Sequence, residues 1–431
     1  MMPRRKADIV KITYNDLVTA CSNNDHQSSI DNLIEQAFGN ANSSSLGIIA
    51  VTDIPSLPSL RSKLLPLAPK LAALPPQQLD EITAPQSQYQ VGWSHGREKL
   101  EGDKPDFSKG SYYANPLTDD LVESMLERRR YYNDDGDKSS VHDKQHQMEE
   151  LRKWDESLNQ IKSEEELRHL ANANPAFFAP NVWPTKSLPE LENALKEMGQ
   201  LIHQVGVYLA RCCDLYVAAR CPGYNPNTLE NILLHSKCCK ARLLHYFATD
   251  GTFDSSNTDN VVGDDKRDSS EDDTQFSSWC GWHNDHGSLT GLVPAIYHDE
   301  NGNIVQCPDE DAGLYIKSRN GDLVGPVTLP ENALAFQVGE TMQIHTGGWL
   351  HATPHAVRGC NKSGISRSTF AVFMEPEYHS SMNLPAGRSV RDTQCEEAEK
   401  SLPKTVRTLR SRWKLGMNFG EFSDATFAAF H

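Results

Sequence analysis

The chain has 431 residues, 38% of them hydrophobic, and a formal net charge of −16. That length can bury a core without disulfide or metal staples, although the low apolar share leaves part of the sequence outside any core. The negative charge excludes nucleic acid and an acidic membrane surface as expected partners. Ten cysteines, with Cys212-Cys213 and Cys238-Cys239 adjacent and no CxxC spacing, read as reduced thiols of a cytoplasmic protein. No apolar run reaches transmembrane length, and the basic stretch Met1 to Lys11 has no apolar segment behind it. A monomer is the default state.

From the N-terminus, Ile9 to Ile12 reads as a short strand, followed by a helix that Asn15 would cap. Gly47 to Val51 is a second compact apolar run of strand length. Leu57 to Leu74, rich in leucine and punctuated by proline, predicts helices separated by turns. Residues 91 to 116 mix turn formers and aromatics without periodicity and read as loop, and the charged stretch from Asp119 to Leu170 reads as helical. Ser187-x-x-Glu190 has the form of a capping box. After it, apolar residues recur at Leu191, Leu195, Met198, Ile202, Val205, Leu209 and Cys212, the buried stripe of one long helix. His203 lies off that stripe, on the expected surface.

Ala241 to Phe247 reads as a strand opening the second half. Residues 250 to 279 are too polar to bury, a disordered acidic insertion whose first 24 residues carry a net −7. From Trp282 onward short strands alternate with turns: a hairpin centred on Asn320-Gly321, then strands at Ala333 to Val338 and Thr369 to Met374. A charged helical stretch near Glu396 to Lys414 and an aromatic tail close the chain. The expected fold class is α+β, a jelly-roll core with surrounding helices. The expected divisions are a helix-rich region (1–235), the core (236–380) and a helical extension (381–431), together one structural unit.

The chemistry centres on His283-x-Asp285. On a strand, residues i and i+2 share a face. An imidazole and a carboxylate aimed together need one more ligand to make a three-coordinate site with open positions. His345, His351 and His355 are candidates for the third. The turn-forming Asn361 to Gly364 lies midway between His355 and Arg367. Strands pairing about that centre would put His355 opposite Arg367 and Thr353 opposite Thr369, all four on one inward face. A buried arginine needs an anion. 2-Oxoglutarate would answer both needs, chelating the metal through its keto acid and placing its far carboxylate on Arg367, with Tyr246 donating a further hydrogen bond. Two imidazoles and one carboxylate suit Fe(II) better than zinc when O2 is to be activated.

These residues carry a family resemblance. His283-x-Asp285, then Gly339 to Gly348, Pro354-His355-Ala356-Val357 and Arg367-Ser368-Thr369 resemble the isopenicillin N synthase-like branch of the iron(II)/2-oxoglutarate dioxygenases. So do the Gly313 to Leu329 hairpin, Gly96 to Gly102, Asn181 to Pro184 and the long helix. The resemblance implies a double-stranded β-helix, with His283, Asp285 and His355 as iron ligands. Arg367 and Thr369 fill its Arg-x-Ser positions for the co-substrate, and Tyr246 matches its strand tyrosine. Glu340, Ala352, Ala356 and Phe247 depart from the usual residues at their positions. The implied activity is oxidation of a small molecule with 2-oxoglutarate and O2, giving succinate and CO2. Two other classes fit the same residues: a non-catalytic jelly-roll binding protein, and an iron oxidase that does not consume 2-oxoglutarate.

Overall fold

A computed structural model describes residues 8–22, 27–42, 44–97, 105–133, 160–248, 279–394, 399–400, 402–403 and 405–430. The acidic insertion, up to residue 278, lies outside the described residues. In chain order the first strands are β1 (Val10–Thr13), β2 (Ile48–Thr52), β3 (Gly92–His95), β4 (Lys109–Ala114), β5 (Cys239–Tyr246), β6 (Cys280–His283) and β7 (Leu289–Leu292). They are followed by β8 (Ile296–His298), β9 (Ile304–Val305), β10 (Gly313–Lys317), β11 (Leu323–Val324), β12 (Leu334–Val338), β13 (His355–Arg358) and β14 (Ser366–Met374).

Two sheets result. The larger runs β1-β2-β12-β7-β14-β5-β4-β3, with β8 on β14 and β9 on β8; the smaller runs β11-β10-β13-β6. The sheets pack against each other in two apolar patches. One joins Ile48, Ala50 and Ala335 to Ile316, and the other joins Leu244 and Tyr246 to Trp279, Val357 and Cys360. The other face of the larger sheet meets helices in the main core. Alternation explains the division: on β14, Phe370, Val372 and Met374 enter that core, so Arg367, Thr369, Ala371 and Phe373 share the opposite face, toward the smaller sheet.

The long helix Glu190–Ala218 packs through the expected stripe, with all seven residues buried. It lies close to the sheet because glycines face it. A Cβ on Gly206 would come 2.6 Å from Met374 Sδ, and one on Gly291 of β7 would come 2.2 Å from Ile202 Cγ2. The capping box is absent: Pro189 is the cap residue and makes no side-chain bond, while Ser187 N–H donates to the Pro184 carbonyl in a preceding turn. His203 is half-buried rather than fully exposed; its Nε2 lies 2.9 Å from the Leu233 carbonyl oxygen. Thr13, not Asn15, holds the first helix (Tyr14–Ser22), accepting from Asp16 N–H at 3.1 Å.

The 91–116 stretch is not a loop throughout. It supplies β3 and β4, with Ser111 opposite Leu244 of β5. These strands lack alternation because both of their faces are covered, and β4 is buried along its whole length. The 320–321 hairpin forms as expected, with Ile316 opposite Val324. At the C-terminus the aromatic tail is itself a helix (Phe419–Phe430) that buries Phe419 and Phe422. Among the described residues, 409–411 form only a 3-10 turn.

The pairing expected about Asn361 does not occur. β13 lies in the smaller sheet against β10 and β6, whereas β14 lies in the larger sheet against β5, β7 and β8. The residues between cross from one sheet to the other. Asn361 N–H donates to the Asp309 carboxylate at 2.9 Å. His355 is therefore the cross-strand partner of His283, and Arg367 that of Tyr246.

Candidate functional site

His283 ends β6, Asp285 follows two residues on, and His355 opens β13. Each offers a ligand atom, and these atoms lie within 4.8 Å of one another. The β6–β13 ladder sets the imidazoles side by side, with ring centroids 4.3 Å apart. Backbone carbonyls hold their outer nitrogens: Gly281 lies 2.8 Å from His283 Nδ1, and Thr353 lies 3.3 Å from His355 Nδ1. Both Nε2 atoms then face Asp285, each 3.8 Å from one of its oxygens. Carbonyl-held Nδ1 with a free Nε2 is how metal-binding histidines are oriented. Asp285 Oδ2 is buried and has no hydrogen-bond partner among the described residues.

The electrostatics favour an ionised carboxylate between the two imidazoles. Burial alone would raise the Asp285 pKa, but the charges of His355 and His283, with hydrogen bonding from Thr290, hold it below the usual value. Burial and the His283 charge push His355 down. At His283 burial favours the neutral ring, yet the Cys280 charge and hydrogen bond and then Asp285 outweigh it, so its pKa is raised.

The segment bearing Asp285 is anchored from behind. Glu340 N–H donates to the Asp285 carbonyl at 2.8 Å, and Asn284 Nδ2 donates to Glu340 Oε1 at 3.2 Å. Arg412 donates to the same oxygen at 2.6 Å, with both side chains of this ion pair 2% exposed. Sequence reasoning passed over Arg412, which lies in the expected charged helix and carries no local signal of burial.

Arg367 occupies the opposite wall, 9% exposed. Its guanidinium lies 5.1 Å from the Tyr246 ring centre and 5.9 Å from that of Trp279, and its charge lowers the Tyr297 pKa against the larger effect of burial. Its Nε and Nη1 are buried with no hydrogen-bond partner among the described residues. A cation so enclosed marks a place for an anion. Tyr246 is buried, which raises its hydroxyl pKa and keeps it protonated as a donor. Thr369 is on the same face, but its hydroxyl donates to the Val293 carbonyl at 2.9 Å. Thr353, expected beside it, instead donates to the Leu46 carbonyl at 2.6 Å.

His286, His345 and His351 are not members of the triad. His286 stacks on Phe419, with ring planes 8° apart. His345 Nε2 lies 2.9 Å from the Ser381 carbonyl oxygen, and His351 is buried. Trp282 packs with Tyr315 and Ala356, and Trp349 packs against the main core.

No protein-family model and no curated protein matches the chain. Solved structures do. A full-length Neurospora crassa protein in complex with alpha-KG is 17% identical, covering 97% of this chain and 96% of that one at a TM-score of 0.55; the same Neurospora protein has also been solved with alpha-KG and thymine. A Caulobacter crescentus protein described as of the 2OG-Fe(II) oxygenase family is 14% identical, covering 98% and 99% at a TM-score of 0.56. JOX2 in complex with 2OG, Fe and JA is 13% identical, covering 90% and 81% at a TM-score of 0.52. At these identities the likeness is one of fold, and it extends over nearly the whole chain.

Proposed function

We propose that the protein is an iron(II)- and 2-oxoglutarate-dependent oxygenase of a small organic molecule, built on a double-stranded β-helix as a single structural unit. One observation carries the reading. A His-Asp-His set with converging ligand atoms shares an interior with a buried arginine that has two unpartnered nitrogens. A structural zinc site would account for neither the missing fourth protein ligand nor the arginine.

His283, Asp285 and His355 would hold Fe(II), leaving positions for the co-substrate and O2. Arg367 would take the far carboxylate of 2-oxoglutarate in charge-assisted hydrogen bonds, with Tyr246 donating alongside. Thr369, whose proton goes to Val293, would contribute by holding β14 in place. When bound, iron with 2-oxoglutarate and O2 supplies the oxidation, one oxygen atom going to succinate, with loss of CO2, and one to the substrate. The protein orients the reactants and excludes water. Trp279 and Tyr246 close over Arg367 and keep the carboxylate end dry. Among the described residues no helix is long and apolar enough to cross a membrane.

The test is succinate and CO2 release by purified protein given Fe(II), O2 and 2-oxoglutarate. His283→Ala and Asp285→Ala should abolish it. Full turnover in either variant would sink the triad, and oxidation without succinate would point to an oxidase that leaves 2-oxoglutarate intact.

A further inference from the structure

The face of β14 that carries Arg367 ends in groups the reading above does not use. Six residues on, roughly 20 Å away at strand rise, Phe373 lies opposite Lys240 of β5 and opposite Thr290 of β7. Thr290 is close enough to the Asp285 carboxylate to help lower its pKa, so Phe373 adjoins the segment that carries Asp285. Phe373 is only half-buried, and among the described residues it joins none of the apolar clusters that take in Phe370, Val372 and Met374.

Glu375 follows on the same side, 6% exposed. Its Cγ would lie 3.3 Å from a Cβ placed on Gly287. Its Oε1 is 3.7 Å from His286 Nε2, beyond hydrogen-bond reach. Among the described residues no group donates a hydrogen bond to the Glu375 carboxylate. Lys240 Nζ makes one hydrogen bond, to Gln90 Oε1 at 3.3 Å, out of three donors. Glu375 and Lys240 both line one cleft, whose other walls include Val91, Leu121 and Phe177. A buried carboxylate without a donor is costly, and here an ammonium group with spare donors lies in the same wall. Together they ask for a ligand with a donor and an acceptor side by side. Because the two charges oppose each other, the ligand itself need carry none.

Resting on the oxygenase reading, we propose that Phe373, Lys240 and Glu375 form the primary-substrate subsite. It takes a neutral, flat ring with an N–H donor beside a carbonyl acceptor: the donor faces Glu375, the carbonyl faces Lys240 and the ring lies against Phe373. Aromatic faces favour such stacking, and polar groups left unpaired on either side would penalise molecules lacking that edge.

The experiment is anaerobic binding to the full-length protein loaded with Fe(II) and 2-oxoglutarate, using thymine, 1,3-dimethylthymine (no donor) and dihydrothymine (saturated ring) as probes. Thymine should bind, and dimethylthymine at least about tenfold more weakly, the loss expected for a hydrogen bond to a charged group. Glu375→Ala and Lys240→Met should each weaken thymine about tenfold while the metal–2-oxoglutarate absorption forms as in the parent. Phe373→Leu should weaken thymine more than dihydrothymine. With that absorption intact, failure of thymine to bind, equal binding of thymine and dimethylthymine, or unchanged affinity in the variants overturns the subsite alone. Absence of the absorption in the parent protein overturns the oxygenase reading and the subsite with it.

Discussion

Arg412 and Glu340 form an ion pair at 2.6 Å with both side chains 2% exposed, and Glu340 in turn holds the backbone and side chain on either side of the Asn284–Asp285 peptide. The segment that carries Asp285 is thus braced by a charge pair outside the His283-Asp285-His355 set. Removing one partner of a buried pair leaves an uncompensated charge and costs about 3–5 kcal/mol. Arg412→Met should lower thermal stability by that order and weaken Mn(II) or Fe(II) binding. The double variant Arg412→Met/Glu340→Met should recover part of the stability. Equal losses in the single and double variants, measured by denaturant unfolding, would mean that the pair does not act as a unit.

Arg367→Gln keeps the triad and removes the cation. The loss of charge-assisted hydrogen bonds, each ~1.5–3 kcal/mol, should raise the half-saturating concentration of 2-oxoglutarate by about 10–100-fold, with metal content unchanged. Titration of the chelate absorption measures this. Unaltered affinity would assign the orphaned guanidinium nitrogens to some other anion.

Acid should destabilise the protein well above the range where carboxylates titrate. Burial holds His245 and His286 at pKa values of about 4 and His351 at about 3, aided by the positive charges of His298, Lys240 and Arg319 respectively. Each is neutral when folded and takes up a proton on unfolding once the pH falls below its unfolded pKa of ~6.5. The stabilisation is therefore complete above ~6.5 and is lost as the pH falls toward ~4. Three such groups lose at most about 4 kcal/mol per pH unit. Urea midpoints should fall steeply as the pH drops by about one unit from ~6.5, and less steeply in His351→Gln. A flat profile contradicts the neutral assignment.

Gly206→Val should cost about 1–3 kcal/mol through overpacking, because a Cβ there meets Met374 Sδ at 2.6 Å. The triad lies on the other side of the sheet, so the unfolding midpoint should drop while metal binding at low temperature persists. Parallel loss of both would tie the helix to the site more closely than the packing implies.

The triad was legible because its signal is short in sequence or short in space. The i, i+2 spacing of His283 and Asp285 and the histidine opening a later strand survive any error in strand order. The long helix was legible through its period. Its start was not, because a capping box in sequence does not oblige Ser187 to cap when Pro184 and Pro189 already direct the chain. The error about Asn361 is more instructive. Symmetric flanks around a turn imply a hairpin only if both strands stay in one sheet, and here the Asp309 carboxylate takes the Asn361 N–H while the chain changes sheets. Arg367 reached the same interior by pairing with Tyr246 instead. β3 and β4 were illegible for a related reason: strands covered on both faces lose the alternation that announces a strand.

Among the described residues β6 is a four-residue edge strand held to the smaller sheet by β13 alone, and one of its rungs is the His283–His355 pair. The two imidazoles that would grip a metal are therefore also the two sides of a seam. A metal bridging them would close a loop through the whole intervening chain, much as a reversible disulfide would, and hold the outermost strand in register. Stripping the metal should show first as faster amide exchange at Cys280 to His283, before the core of β14 opens. Readiness to bind metal and the fraying of that edge would then be one equilibrium seen from two sides.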